Sequence, residues 1–404
     1  MKAIEEQFFL NQTYQFLLVS LAFFLPLTVF GANLIIVIIV ILWLFSGNYK
    51  SKYNQIISSK FLISSAIFYC LHIVGLLWTS DLRWGFEILH KMWYFILLLP
   101  VLFTIVEKKY IKYYISSFLL AMTISELVSY LIWFEIISPF KMASVGNPVP
   151  FMSHVSYNPI LAFAIYLLLH EIFFNKSLHT FKFFLYSFFA LTMTVNMFIT
   201  GGRAGQVMFF AMISILVFQF FNSEKIKSLI ILIFLIPAII FTAYKSSDLF
   251  EQRVNSAIND VVTYEVNSNT SVGKRIDYMI NSIDIIKQHP FIGVGTGDFP
   301  TEFTKISIIN NNHDNMRNTN PHNMYNLILI QLGFMGLFSF LSIFYYQIKQ
   351  SFASNKGFLR DVGITLPLLF LVIMFSESYL LGHYTTLLYI FFSSFLYKDF
   401  EKSK

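Results

Sequence analysis

Long apolar stretches alternate with short polar connections along most of the chain. A membrane-spanning helix needs about 20 mostly apolar residues, and this pattern predicts twelve such spans, near residues 15–31, 32–46, 61–79, 88–106, 114–137, 155–174, 183–200, 205–221, 228–244, 323–347, 363–381 and 384–397. The first stretch follows polar residues and lacks a basic start and a small-residue cleavage site, so we expect it to be retained rather than cleaved. The sequence therefore predicts an all-α integral membrane protein with about twelve transmembrane helices.

One polar connection is far longer than the others and divides the chain. Residues 245–321 form a 77-residue segment that holds 7 of the Lys and Arg residues and 9 of the Asp and Glu residues. Loops of this length in compact proteins are usually functional or disordered. The predicted organisation is nine spans in residues 1–244, a long loop in residues 245–321, and three spans with a polar tail in residues 322–404.

Part of this loop has the periodicity of a helix. Apolar residues recur at helical spacing from Ile276 to Ile286, and polar residues fall to one side of that stripe. Ser268 or Thr270 can cap the start of the helix, and Pro290 can end it. Since the loop is too short for a core of its own, we expect an amphipathic helix that lies along the membrane surface.

Lysine and arginine are distributed unevenly between the two sides of the predicted bundle. Of the 28 such residues, 17 fall on the side that carries both termini, and only 4 fall in the short connections of the opposite side. Positive residues stay preferentially in the cytoplasm. Both termini are therefore predicted to be cytoplasmic, and the long loop is predicted to lie on the outer side.

The composition narrows the function further. Hydrophobic residues make up 56% of the chain and charged residues only 12%, which excludes an ordinary soluble enzyme. The net charge of +6 is not clustered, so we expect no nucleic-acid partner. Cys70 is the single cysteine, and no histidine pair has the spacing of a zinc site, so we predict neither metal nor cofactor. Residues 293–297 are glycine-rich but indicate a turn rather than a nucleotide site.

Arginine is concentrated on the predicted outer side. Five of the 11 positive residues there are arginine, against one of the 17 on the cytoplasmic side. Arginine grips phosphate or carboxylate groups with two parallel hydrogen bonds, which lysine cannot do. Arg203 follows two glycines at a predicted membrane edge, where a charge usually has a function. The alternatives are that these arginines pair with the acids of the loop, or that Arg203 only extends towards water.

His322 is the best candidate for proton transfer. It ends a polar stretch and opens a long apolar span, and histidine can take a proton near neutral pH. Asn323 could fix its tautomer or hold a sugar hydroxyl. The alternative is a histidine that merely lies at the membrane interface.

Together these motifs resemble the O-antigen ligase and polymerase superfamily of bacterial envelopes, over roughly residues 60 to 340. The matching segments are the Gly202–Gly205 turn around Arg203, the loop residues Arg253 and Arg275, residues 289–299 from His289 to Phe299, His322 with Asn323, the pair Gly333 and Gly336, and, more loosely, Trp78–Asp81.

The resemblance implies a C-type glycosyltransferase-like membrane enzyme in the bacterial inner membrane, with its active site facing the periplasm. The donor would be a glycan on undecaprenyl diphosphate, and the acceptor a sugar hydroxyl of the lipid A core. His322, Arg203 and Arg275 would be catalytic, while Arg253, Asn323 and His289 would bind the diphosphate or sugar.

Two alternatives remain from the sequence. A polymerase of the same superfamily would join one lipid-linked repeat to another and needs the same donor and arginines. A transporter of lipid-linked sugars would carry charges at the membrane midplane. Possible intramembrane acids are Glu126, Glu135 and Glu377, but no inverted repeat accompanies them.

Overall fold

The computed structural model of the protein describes residues 2–264, 269–310 and 318–400. All regular elements in these ranges are helices. The first eleven are α1 (Lys2–Phe24), α2 (Val29–Phe45), α3 (Tyr49–Ser58), α4 (Lys60–Val74), α5 (Leu82–Trp93), α6 (Leu99–Ile105), α7 (Ile111–Trp133), α8 (His154–Phe174), α9 (Thr180–Ile199), α10 (Arg203–Phe220) and α11 (Lys225–Ser246).

The long connection between the predicted spans is itself helical over much of its length. It contains α12 (Asp248–Val262), α13 (Ser271–Gln288) and α14 (Phe299–Ile309), and the chain ends with α15 (Met324–Ala353), α16 (Phe358–Ile373) and α17 (His383–Leu396). The amphipathic helix expected from the sequence is confirmed as α13. The side chain of Thr270 caps it by accepting the N–H of Gly273, as a residue of this type does at a helix start.

Eight helices of the described residues are long and apolar enough to cross a membrane. A ninth is obtained if α2 and α3, which are bent by 115°, form one broken span. The all-helical membrane architecture is thus confirmed, whereas the count of twelve is not.

Differences from the predicted spans lie at both ends of the chain. The first two were expected to meet near residue 31, but α1 ends at Phe24 and α2 begins at Val29. The last was expected over residues 384–397, and α17 covers nearly the same 14 residues, so the difference lies in its surroundings and not in its bounds. At about 1.5 Å per residue it is roughly 21 Å long, shorter than the hydrocarbon thickness of about 30 Å. Every residue of α17 from Thr385 to Leu396 is buried, so this helix is a core element surrounded by protein.

Burial separates the inner helices from the outer ones. In the most apolar stretch of α8, 72% of the residues are buried, and both α9 and α10 pack against this helix. In the most apolar stretch of α11 only 17% of the residues are buried, although α11 is the most apolar of the eight candidate membrane helices. An apolar helix face that no protein covers must face lipid, because water would penalise it.

The glycine-rich segment after Pro290 is inserted between two parts of the bundle. On one side it meets α15, which is broken at Gly333 (φ 61°, ψ −157°). Backbone groups released by this break bond to the segment: Val294 N–H donates to Ile330 O at 2.8 Å, and Phe334 N–H donates to Pro290 O at 2.8 Å. Irregular backbone inside a membrane protein is tolerated where protein satisfies its polar groups in this way.

On its other side the same segment holds the connection between α4 and α5. The carboxylate of Asp298 accepts the backbone N–H groups of Ser80 and Asp81 at 2.7–2.9 Å. The hydroxyl of Thr296 donates to the carbonyl of His72 at 2.7 Å. The partners in these bonds are more than 200 residues apart in the sequence. The bonds therefore attach the long connection to the bundle. The expectation of a turn in this region is confirmed.

Candidate functional site

A tight turn between α9 and α10 places Arg203. The N–H of Gly201 donates to the side-chain oxygen of Asn147 at 3.0 Å, and the carbonyl of Gly202 accepts the side-chain amide of Asn158 at 3.3 Å. A Cβ atom at Gly202 would lie 2.6 Å from that amide nitrogen, so only glycine fits there. Arg203 is therefore the first residue of α10 at a position that two asparagines hold.

Arg253, on α12, reaches the same turn. Its Nη2 atom lies 3.4 Å from the position that a Cβ of Gly201 would occupy. The hydroxyl of Ser247, which caps α12, donates to the carbonyl of Phe198 at the end of α9. This bond ties the start of α12 to the helix that precedes the turn, and so it sets the distance between the two arginines.

The third arginine, Arg275, lies on α13. The positive charges of Arg253 and Arg275 both act on Arg203, and the half-buried Arg203 is partly compensated by the negative charge of Asp260. In the ranges that the structure describes, none of the three guanidinium groups lies within ion-pair distance of a carboxylate. Like charges brought together without such partners are unfavourable until an anion binds between them.

His322 lies at the start of α15 and is paired with an acid. Its Nδ1 atom is 2.6 Å from Oε2 of Glu377, which lies in the turn after α16. A carboxylate at Nδ1 favours the tautomer with the proton on that nitrogen, and the lone pair is then on Nε2. The His322 side chain is 36% exposed and that of Glu377 is 18% exposed, so Nε2 can receive a proton from a bound molecule.

Further hydrogen bonds hold Glu377 in place. The side-chain amide of Asn320 and the N–H of Ser378 both donate to Oε1 of Glu377. The oxygen of the Asn320 side chain in turn accepts the N–H of His322 at 3.0 Å and the hydroxyl of Ser378 at 2.8 Å. Several donors on one carboxylate favour its ionised form, which is the form that accepts from His322.

Helix α13 connects the arginines to His322. The ring of Tyr278 stacks on the imidazole of His322, with centroids 5.7 Å apart and an interplanar angle of 14°. Arg275 lies three residues before Tyr278, on the same face of the helix, and its charge also acts on Tyr379, next to Glu377. The arginines and His322 therefore belong to one region.

Not every residue singled out in the sequence lies at this centre. The side-chain oxygen of Asn323 caps α15 by accepting the N–H groups of Tyr325 and Asn326. The group that bonds to Nδ1 of His322 is the carboxylate of Glu377 and not the side chain of Asn323. His289 is exposed at the opposite end of α13 from Arg275, about 20 Å away along the helix axis. The binding role of His289 stays a prediction.

Some residues of the site were missed by the sequence analysis. Glu377 was considered only as a possible intramembrane acid, and Tyr278 was not considered. Asn147 and Asn158 are far from Arg203 in the sequence and carry no motif. The one available signal was an acid in a polar turn close to a predicted membrane edge, which is typical of a functional group.

Among the residues of the three described ranges, no group of three or more His, Cys, Asp and Glu side chains is placed to hold a metal ion.

Comparison with known proteins supports a family assignment. Residues 188–341, less than half of the chain, match the family model described as O-antigen ligase. This match confirms the resemblance to the O-antigen ligase and polymerase superfamily over that segment. It contains the six residues singled out in the sequence, whereas Glu377 lies outside it.

A curated bacterial protein is similar to part of the chain. The chain is 31% identical over 174 residues to an uncharacterized protein of Haemophilus influenzae, which is 40% of this chain and 42% of that protein. The chain thus matches less than half of the length of this relative.

Proposed function

We propose that this chain, which carries an O-antigen ligase family segment at residues 188–341, is an O-antigen ligase. It would transfer a glycan from undecaprenyl diphosphate to a sugar hydroxyl of the lipid A core. The observation that carries this proposal is the convergence of Arg203, Arg253 and Arg275 on the same region as His322, whose Nδ1 is held by Glu377.

The three arginines suit the leaving group. When the bond between the anomeric carbon and the diphosphate oxygen breaks, the electron pair goes to that oxygen and the negative charge of the diphosphate grows. Preorganised donors at the point where charge develops stabilise a transition state more than the ground state. In the part of the chain that the structure describes, these guanidinium groups have no carboxylate at ion-pair distance, which suits them to serve as these donors. The proposed reaction then needs neither a metal nor a cofactor.

His322 suits the acceptor. Its Nε2 atom would take the proton of the acceptor hydroxyl while that oxygen attacks the anomeric carbon. The imidazolium then carries a charge that the adjacent Glu377 carboxylate stabilises, as in other histidine–carboxylate pairs. The products are the new glycoside and undecaprenyl diphosphate. Because one displacement occurs at the anomeric carbon, the configuration at that carbon is inverted.

The proposed location follows from the charge bias of the connections. The Lys-rich side would face the cytoplasm with both termini, and the arginine site would face the periplasm at the inner membrane. Asn323 would order the backbone beside His322, and its contact with a sugar hydroxyl would be additional to its capping role.

The test is a deletion of the gene in its host, with the surface glycolipid displayed on a gel. A ligase leaves bare lipid A core, and polymer accumulates on its lipid carrier. Core capped with a single repeat would instead assign polymerase activity, and an unchanged glycolipid would contradict both activities.

Complementation with variants then tests the site. We expect His322→Ala and Arg203→Ala to leave the core bare at normal protein levels. The matched controls are His90→Ala, an exposed histidine on α5, and Arg360→Ala, which lies on α16 against Phe352. Both controls should restore the polymer. Normal ligation by His322→Ala protein would contradict its role as the base.

A further inference from the structure

A large cavity lies at the end of the bundle opposite the arginine site. It has a volume of about 960 Å³ and is lined by α3, the start of α4 and the end of α15. Helix α15 begins at Met324, directly after His322 and Asn323. Helix α4 runs from Lys60 in the cavity wall to Val74, and the carbonyl of the next residue, Gly75, accepts the N–H of Thr296 in the glycine-rich segment. Both helices thus run from the side of the proposed active site to the cavity, so the two sites lie at opposite ends of the bundle.

The cavity is positively charged. Four lysines and one acid, Asp399, line it, and the lysines are Lys50, Lys60, Lys349 and Lys398. Lys398 donates to the carbonyls of Thr104 and Val106 and is part of the wall. The other three lysines lie on three different helices, α3, α4 and α15, and all three line this cavity.

The rest of the lining suits a phosphate-bearing amphiphile. Side chains that can donate to phosphate oxygens come from α3 and the end of α15, and they include Asn54, Gln55 and Gln350. The inner wall is aromatic, with Phe61, Phe103 and Tyr397 almost fully buried. A small, strongly hydrated anion gains nothing from such a wall, whereas the glycerol and upper acyl region of a lipid can pack against it.

Helix α3 places this cavity at a membrane interface. It turns by 115° from α2 and thus runs across the end of the bundle. Tyr49, Tyr53 and Ile57 form one exposed face at a spacing of four residues, while Asn54 and Ser58 of the opposite face line the cavity. Tyrosine with an aliphatic neighbour on an in-plane helix is typical of a segment that lies in the headgroup region.

We propose that this cavity binds the phosphate group of an anionic phospholipid, with the headgroup held by Lys50, Lys60 and Lys349 and the upper acyl region against the aromatic wall. Basic pockets between helices at a membrane surface recognise lipid phosphates through the same combination of charge and hydrogen bonds. This site is independent of the proposed transfer reaction and lies on the side that the lysine distribution predicts to be cytoplasmic.

The experiment uses the purified full chain in detergent, with thermal unfolding followed as lipid is added. Phosphatidylglycerol should raise the unfolding temperature in a saturable way, because a ligand that binds only the folded state stabilises it. Phosphatidylcholine, a zwitterionic lipid with the same acyl chains, and inorganic phosphate are the comparison ligands. An equal effect of phosphatidylcholine would overturn the role of charge, and an equal effect of inorganic phosphate would assign the site to a soluble anion.

Two triple variants with the same change in net charge complete the test. Replacing Lys50, Lys60 and Lys349 by Gln should weaken phosphatidylglycerol binding by roughly a hundredfold, since each lysine near a lipid phosphate contributes about a factor of five. The control variant replaces three exposed lysines outside the cavity, Lys176, Lys182 and Lys356, and should bind as before. Equal weakening in both variants would mean general surface attraction and would overturn the proposal. If the first triple variant fails to fold, Lys60→Gln alone must still weaken binding severalfold.

Discussion

The Nδ1 atom of His322 lies 2.6 Å from the Oε2 atom of Glu377, although 55 residues separate them in the sequence. Between these two residues the chain crosses the bundle along α15 and returns along α16, so the pair forms only in the folded protein. The carboxylate of Glu377 gives the imidazole a fixed direction and stabilises its charged form.

Glu377 is therefore predicted to be a positioning residue. Glu377→Gln keeps the size of the side chain but replaces the carboxylate that accepts from Nδ1, and we expect it to lower the transfer rate by roughly 10- to 100-fold. His322→Ala should lose more, about 10²- to 10⁴-fold, because general base catalysis itself is removed. The measurement is transfer from a purified lipid-linked donor across a pH series.

A purely structural role of Glu377 would give another result. The Gln variant would then lose stability, but its pH profile would keep the shape of the unchanged protein. A positioning role shifts the limb of the profile that reports the histidine, and Glu377→Asp should restore part of the rate. An unaltered rate in the Gln variant at full stability would contradict the assignment.

The sequence predicted the parts of the site that have local signals. Thr270 and Pro290 bracket α13 because helix caps and prolines act within a few residues of their own position. Arg203 stands out because a charge beside glycines at a membrane edge is unusual. Glu377 could not be assigned, since its partner is set by the packing of α15 against α16 and not by its neighbours in the sequence.

The same limit applies to the break in α15. The sequence around Gly333 is apolar enough for an uninterrupted helix, and the positive φ is favourable only because the segment after Pro290 bonds to the released backbone groups. The inner position of α17 was missed for a related reason. An apolar helix that faces lipid and one that faces protein have similar sequences, so only the tertiary packing distinguishes them.

Removal of Arg275 should affect the stability and the activity of the protein in opposite directions. Replacing Arg275 by Gln removes a positive charge that acts on Arg203, so we expect the unfolding temperature of the ligand-free protein to stay the same or rise. Transfer should fall by roughly 10- to 100-fold, because a charge-assisted hydrogen bond to the diphosphate contributes about 1.5–3 kcal/mol. Thermal unfolding and transfer are measured on the same preparation.

This pair of measurements separates binding from a structural role of Arg275. If Arg275 held the loop through ion pairs, its removal would lower the unfolding temperature together with the activity. Arg275→Lys keeps the charge but not the planar fork, and it should recover less than full activity. Arg360→Gln is the control for removal of an arginine elsewhere in the protein.

Asp298 is predicted to contribute to the attachment of the long connection. Asp298→Asn keeps the shape of the side chain but removes one of the oxygens that accept the N–H groups of Ser80 and Asp81. Loss of hydrogen bonds to a buried charged group costs about 1–3 kcal/mol, and the effect should appear as a lower unfolding temperature. Glu224→Gln, at an exposed ion pair with Lys227, should change it little.

Gly295, in the inserted segment, should tolerate substitution poorly. Its φ of +111° is unfavourable for any other residue, and a Cβ there would lie 2.5 Å from Oγ1 of Thr79. Gly295→Ala therefore combines backbone strain with a clash, each of which costs about 1–3 kcal/mol. Gly146→Ala is the matched control, because a Cβ at that position meets no atom within 4 Å. Thermal unfolding should show a large loss for the first variant and almost none for the second, whereas equal unfolding temperatures would mean that the segment is not held between α15 and the start of α5.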